Sequence, residues 1–401
     1  MGVAAKVEPR SLQWPLTRWD VAGAFGDIGV LFPIAIALIS LNHVDPTAAF
    51  LAAGLTYILA GHYFQIPMAV QPFKAVAAIA LATALPPSSI ASAGLLMGVL
   101  LGIVGITNLA GWLAKLFTLP IVRGIQLGLG LLLAREGLRL MFSHRSTVVL
   151  ATGTTLASWE IGLGGALLLL AFRRSHRLPA ALVLLAAGIT LGLMSQWGKL
   201  PALGWGPLPL HLLHPRLSEL RRVLTLLVIP QFALTFGNSV VATEDTARIL
   251  YGAQARRVTV RRLCLSISLT NLVAGMIQAP PLCHGSGGVT AHYQFGARKP
   301  KSSYVIGAVC ILLALFGRAA VGILHLIPAA TLGVLLVYVG IQHSAYLRDI
   351  LRRPSLMTIA VCVGIVSLMT TNLMWGFLTG FVLQGILSMY QRHDEQASKP
   401  V

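Results

Sequence analysis

Charge is scarce in this chain, and negative charge is scarcest. Only 10% of its 401 residues are Asp, Glu, Lys or Arg, and only 12 are acidic. Soluble domains carry about 25% charged residues to cover their outside, so a water-soluble globular protein is excluded. The shortage also argues against a membrane-embedded enzyme, which wants clustered acids or histidines at catalytic spacing. No enzymatic activity and no cofactor are expected. Cysteine is rare as well. Cys264, Cys283, Cys310 and Cys362 lie in apolar surroundings without paired metal-ligand spacing, which fits small buried hydrophobes rather than a disulfide framework or a metal site. The start of the chain lacks a cleavable-signal pattern. Residues 1–18 read as a short tail carrying Lys6, Arg10 and Arg18.

What the chain has in abundance is apolar length. Hydrophobic residues make up 56% of it, and its mean hydropathy is +0.79. Spans of about 20 residues cross a bilayer as helices. Apolar segments fall at 20–41, 46–65, 66–84, 91–114, 118–141, 157–172 and 178–195. A polar stretch rich in Pro, Gly and His follows at 196–222. A second set falls at 223–250, 258–278, 279–295, 302–317, 320–342, 355–371 and 373–390. The expected fold is an all-α polytopic membrane protein with about 14 transmembrane segments, seven before the linker and seven after. The expected divisions are 1–195, the linker 196–222, 223–391 and a short tail at 392–401.

An odd number of spans per half inverts the second half relative to the first. Basic residues support this. With the N-terminus inside, cytoplasmic segments hold 21 of the 30 Lys and Arg residues and external segments hold 8, as the positive-inside rule expects. Short clusters such as Arg173, Arg174 and Arg177, or Arg256, Arg257, Arg261 and Arg262, account for the net charge of +18. They sit between apolar runs, so nucleic-acid binding is not expected. Both termini are expected in the cytoplasm, in the cell (inner) membrane.

Inverted repeats leave faint echoes in sequence. Span one reads AFGDIGV at 24–30, and span eight reads TFGNSVV at 235–241. Span three contains AVQPFKAVAAIA at 69–80, and span ten contains PPLCHGSGGVTAHY at 280–293. Pro67 and Pro72 favour an extended lead and place a half-helix over Phe73–Ala84. Pro280 and Pro281 do the same in span ten, with Gly285, Gly287 and Gly288 loosening the turn before a half-helix near Ser286. Unwound backbone at membrane depth is tolerated only where it is buried in protein or lines a cavity. Two half-helix N-termini then point into one place, each with unpaired N–H groups and about half a positive charge. That is an anion site.

Candidate substrate-binding residues are Gln71, Phe73, Lys74, Asn238, His284, Gly285, Ser286, Gly287, Gly288 and Thr290. Lys74 supplies a full charge; it contacts the anion or pairs with Asp27. Ser286 and Thr290 add hydroxyls, and Asn238 is a neutral donor at the span-eight position equivalent to Asp27. His284 is either a donor or a packed histidine. Asp27 pairs Lys74, carries a coupled proton or bonds the half-helix backbone. Glu244 and Asp245 form a cation-coupling site or, the favoured alternative, cap or pair with Arg248. Kinks of ordinary transmembrane Pro and Gly are the bland alternative to the half-helices.

PMAVQPFKAVAA at 67–78 and PPLCHGSGGVTAHYQFGARKP at 280–300 resemble the two signature segments of the molybdate transporter family, a branch of the sulfate permease superfamily. GAFGDIGVLFPIAIAL at 23–38 and FGNSVVATEDTARILYG at 236–252 are similar to that family's first and eighth spans. The resemblance implies seven-plus-seven inverted repeats with core and gate domains, as in uracil permease. It implies a symporter taking up molybdate by alternating access, with tungstate or sulfate as related ligands and a proton or sodium as the coupled ion. Phe73 stands where the family pattern has Met, and Lys299-Pro300 replaces a small-residue-Gly ending. Alternatives are another oxyanion, a nucleobase and an anion channel. A nucleobase carrier would place a carboxylate in the tenth segment, where none stands. A homodimer is left open.

Overall fold

The structure is a computed structural model. It describes residues 16–397 except 108, 111–112, 114–117, 143–146, 151, 173–179, 197–203 and 216. Several basic residues that enter the topology count, among them Lys6, Arg10, Arg145, Arg173, Arg174, Arg177, Lys199 and Arg216, therefore lie outside the described residues.

The first apolar run folds as two helices rather than one. Helix α1 (Arg18–Ala24) opens with a capping box between Thr17 and Asp20, which satisfies N–H groups that the first turn leaves free. The chain then turns through residues 25–27 and resumes as α2 (Ile28–Asn42). Asp27 stands at the head of α2 and makes no capping bond. The break lies close against backbone from the second half: a Cβ added at Gly26 would stand 2.7 Å from the Ala291 carbonyl oxygen. Helix α3 (Pro46–Phe64) follows.

The Pro-containing leads of spans three and ten meet as a two-stranded antiparallel pair. Strand β1 (Gln71–Pro72) lies beside a later strand, Leu282–Cys283, with Gln71 opposite Cys283 and Pro72 opposite Leu282. The Phe73 N–H donates to the Pro281 carbonyl at 2.8 Å. The Asn271 side chain acts as a further strand: it accepts from Leu282 N at 2.8 Å and donates to Leu282 O at 2.7 Å. Backbone that has left the helix is thereby satisfied without water, as burial in lipid requires. From these leads issue α4 (Lys74–Thr83) and, in the second half, a helix over Ser286–Gln294.

The remaining helices are α5 (Pro87–Ile106), α6 (Leu119–Met141), α7 (Ser158–Phe172) and α8 (Ala180–Ser195). A short hairpin of β2 (Val148–Val149) and β3 (Thr155–Leu156) joins α6 to α7. Helix α9 covers residues 217–251 and contains two π-helical stretches, Leu224–Val228 and Thr235–Val241. Then come α10 (Val260–Met276), β4 (Leu282–Cys283), α11 (Ser286–Gln294), α12 (Lys301–Leu315), α13 (Gly317–His325), α14 (Ala329–Ser344), α15 (Pro354–Thr370) and α16 (Leu373–Ala397).

The helices pack in two groups. In one, α3 lies on α12 and α5 on α10; in the other, α6 lies on α14 and α15, and α15 on α16. Small residues bring these pairs together, as membrane helix packing favours. A Cβ on Gly54 would stand 2.7 Å from the Gly307 carbonyl, and one on Gly307 2.9 Å from the Gly54 carbonyl.

Several boundaries depart from the sequence reading. The expected spans at 302–317 and 320–342 are instead α12, a helix α13 turned by 85° against it, and a separate α14. Helix α16 runs on to Ala397, into the expected tail. Among the described residues, five helices are long and apolar enough to cross a membrane, or six if the bent α12–α13 pair counts as one. Others, α4, α7, α8 and α15 among them, are apolar but shorter.

Candidate functional site

Helices α4 and α11 present different N-terminal ends. At the α4 N-terminus two of the first N–H groups, those of Ala75 and Val76, are already used. Gln231, from α9, accepts from Ala75 N at 2.8 Å and from Val76 N at 3.3 Å. Its amide nitrogen donates to Thr235 Oγ1 at 2.8 Å. What α4 offers is the ammonium of Lys74, whose residue is 8% exposed. Lys74 Nζ donates to Gln71 Oε1, and Gln71 Nε2 donates to Asp27 Oδ1. Lys74 and Asp27 thus communicate through an amide. The other oxygen of Asp27, a residue 2% exposed, has no partner among the described residues.

The α11 N-terminus is open. The N–H groups of Gly288 and Val289 turn back to Gly285 O at 3.1 and 3.2 Å. Those of Ser286 and Gly287 have no acceptor among the described residues. Ser286 Oγ donates to Asn238 Oδ1 at 2.8 Å, tying this end to the second π-helical stretch of α9. The three glycines do separate things. A Cβ at Gly285 would stand 2.5 Å from Gln71 Oε1, and one at Gly288 2.5 Å from Asp27 Oδ2. Those two leave room for the Asp27–Gln71–Lys74 chain. A Cβ at Gly287 would meet only the Tyr346 hydroxyl, at 2.8 Å, so Gly287 keeps space clear beside the open N–H groups.

Both ends reach one cavity of about 420 Å³. Asp27, Gln71, Lys74 and Gly287 line one wall, and Tyr338, Gln342, His343 and Tyr346 line the other. The cavity runs from buried Asp27 and Lys74 to exposed Gln294 and Gln342. An ammonium and a helix N-terminus facing one polar space are the groups that an anion would need.

The model of the family described as "Molybdate transporter of MFS superfamily" matches residues 20–133 and 224–342. The chain belongs to this molybdate transporter family. Molybdate transporter 2 of Arabidopsis thaliana is 30% identical, over 94% of this chain and 89% of that protein. Molybdate transporter 1 of Chlamydomonas reinhardtii is 28% identical, over 94% and 93%. A probable sulfate transporter of Mycobacterium tuberculosis is 25% identical, over 84% of this chain and 63% of its own length. Among solved structures, SLC26A9 matches with TM-score 0.67 at 14% identity, over 93% of this chain and 65% of that one. The transmembrane domain of the cyanobacterial bicarbonate transporter BicA matches with TM-score 0.65 at 17% identity, over 93% and 98%. The chain is an integral multi-pass membrane protein with the fold of these anion transporters, and it is a transporter rather than an enzyme.

The segments 67–78 and 280–300 supply β1, β4 and the starts of α4 and α11, but not every candidate residue faces the cavity. His284 is engaged at both ring nitrogens, Nδ1 with Ala69 O at 2.8 Å and Nε2 with Ser266 Oγ at 2.9 Å. It holds the two extended leads to α10, which is the packed-histidine alternative. Phe73 is 1% exposed in the apolar core. Thr290 Oγ1 donates to Ser286 O at 3.0 Å, within its own helix. Glu244 pairs with Arg248 at 2.8 Å and accepts from Val260 N at 3.0 Å, while Asp245 is exposed. Neither acid lines the cavity. Gln231 and the wall of Gln342, His343 and Tyr346 were missed from sequence. A lone amide inside the apolar run LLVIPQFAL is the one signal that pointed to Gln231.

Proposed function

We propose that this chain is a secondary active transporter that takes up molybdate by alternating access. The observation that carries the reading is the convergence of Lys74 and Gly287, the latter at the open N-terminus of α11, on one cavity. A tetrahedral dianion would accept from both, while the Ser286 hydroxyl, donating to Asn238, holds the helix end in place. In a water-poor site such charge-assisted bonds are about twice as strong as neutral ones. Lys74 and Asp27 already balance each other through Gln71, so a bound dianion leaves excess negative charge. Entry of a proton or sodium ion offsets it, and the unpartnered Asp27 Oδ2 is the seat for the coupled ion.

Alternating access needs two bodies. The α3–α12 and α5–α10 pairs form a core, and α6–α8 with α14–α16 form a gate. The helix pairing supports seven-plus-seven inverted repeats over 1–195 and 223–391: span two on span eleven is the image of span nine on span four. With the termini in the cytoplasm, the cavity mouth at Gln294 and Gln342 lies on the cytoplasmic side, so this is an inward-open state. The second reading is sulfate, favoured by the similarity to a probable sulfate transporter.

Uptake of labelled molybdate into proteoliposomes separates the two. Tungstate, of nearly equal size, is expected to compete almost as well as molybdate. Sulfate is smaller, and donors spaced for molybdate reach it less well. Equal competition by sulfate at equal concentration would replace the molybdate assignment with a general oxyanion one.

A further inference from the structure

The gate wall of the cavity carries polar groups that the core half of the site leaves unused. His343, on the last turn of α14, is 6% exposed, lines the cavity, and its Nδ1 has no partner among the described residues. Tyr346 stands on the 3₁₀ turn Ala345–Ile350 that follows, with its ring 5.9 Å from the His343 ring. Its hydroxyl faces the open α11 terminus across the space that Gly287 keeps clear. The ring is held from behind: the Arg123 guanidinium lies 5.4 Å from its centroid. Arg123 is itself fixed by Asp349 and by Gln126 Oε1 at 2.9 Å. A braced phenol and an unpartnered buried imidazole opposite an open helix terminus are what a shared ligand needs. A buried polar atom without a bond costs free energy unless a ligand completes it.

We propose that His343 Nδ1 and the Tyr346 hydroxyl are the gate half of the anion site, donating to oxygens that point away from Lys74 and α11. The inference rests on the reading of this cavity as the anion site. It gives the anion a physical role in transport, because a ligand bonded to both bodies favours the arrangement that brings them together.

The test is molybdate binding to the purified full chain in nanodiscs, with thermal unfolding as the check on folding. Tyr346→Phe keeps the ring and its contact with Arg123, so it removes one donor; the dissociation constant is expected to rise about 10-fold, the size of one hydrogen bond to a charged group. His343→Ala is expected to lose about as much. His343→Asn, whose amide nitrogen overlies Nδ1, should recover most of the loss, which a purely packing role for the imidazole would not give. Lys74→Met is the control for the site itself, with an expected loss of about 100-fold. Parent-like binding by Tyr346→Phe and His343→Ala, with Lys74→Met defective, overturns the gate half and leaves the core site standing. Parent-like binding by Lys74→Met as well overturns both.

Discussion

Helices α4 and α11 occupy equivalent places in the two halves of the chain, yet they are finished differently. Helix α4 is capped from inside the protein by Gln231 and carries a lysine in its first turn. Helix α11 has no cap on its first N–H groups and begins Ser-Gly-Gly. The two ends meet across the β1–β4 pair, whose register sets them side by side. One half gives the site its charge, and the other gives it directed backbone donors. The difference between the two ends is what the proposed anion site draws on, with charge from one and directed donors from the other.

The sharpest way to break this division of labour is to fill the open end. Gly287→Val puts a branched side chain where even a Cβ would stand 2.8 Å from the Tyr346 hydroxyl. Binding is expected to fall by at least about 100-fold, a loss of more than ~2.7 kcal/mol, while the purified variant stays monodisperse. Normal molybdate affinity in that variant would mean that the anion does not use the α11 terminus.

The capped end predicts the opposite pattern. Gln231→Leu leaves the Ala75 and Val76 N–H groups buried without an acceptor. Stability is expected to drop by about 2–4 kcal/mol, seen as a lower unfolding midpoint, with affinity changed far less than in Gly287→Val. If affinity collapses while stability holds, Gln231 belongs to the ligand site and the contrast between the two ends is wrong.

The smallest effect is expected at Ser286. Its hydroxyl donates to Asn238 at 2.8 Å, so it serves the site only by holding the α11 end. Ser286→Ala should cost roughly 0.5–1.5 kcal/mol, or about 2- to 13-fold in affinity. A larger loss would promote the hydroxyl above the backbone N–H groups.

What could be read from the sequence follows the range of the interactions involved. Pro67 and Pro72, and Pro280 and Pro281, act on their own neighbours, so the extended leads and the helices beginning at Lys74 and Ser286 were legible. The pairing of Gln71 with Cys283 joins residues far apart in the chain, and no local pattern encodes its register. The Gln231 cap acts on Ala75 at a similar remove. A pairing of Asp27 with Lys74 was one of the alternatives open in the sequence, and Gln71 was a candidate for the ligand; that Gln71 stands between the two charges was not legible, because an amide between two charges leaves no trace in composition. The sharp turn between α12 and α13 falls at Phe316-Gly317 without a proline to mark it. The polar wall of α14 was hidden for a simpler reason: His343 and Tyr346 sit where a helix ends and look like ordinary interfacial residues. Glu244 shows the converse, since its spacing to Arg248 pointed to the ion pair that the structure contains.

Tungstate offers the most direct measurement, because its electron-rich metal is easily located. A structure of the purified chain with tungstate bound should show the oxyanion between Lys74 Nζ and the Ser286 and Gly287 nitrogens. Its oxygens should lie within hydrogen-bond distance of both sides, about 2.7–3.2 Å. Tungstate found elsewhere, around Glu244 or away from the α11 terminus, with this cavity filled only by water, would contradict the account.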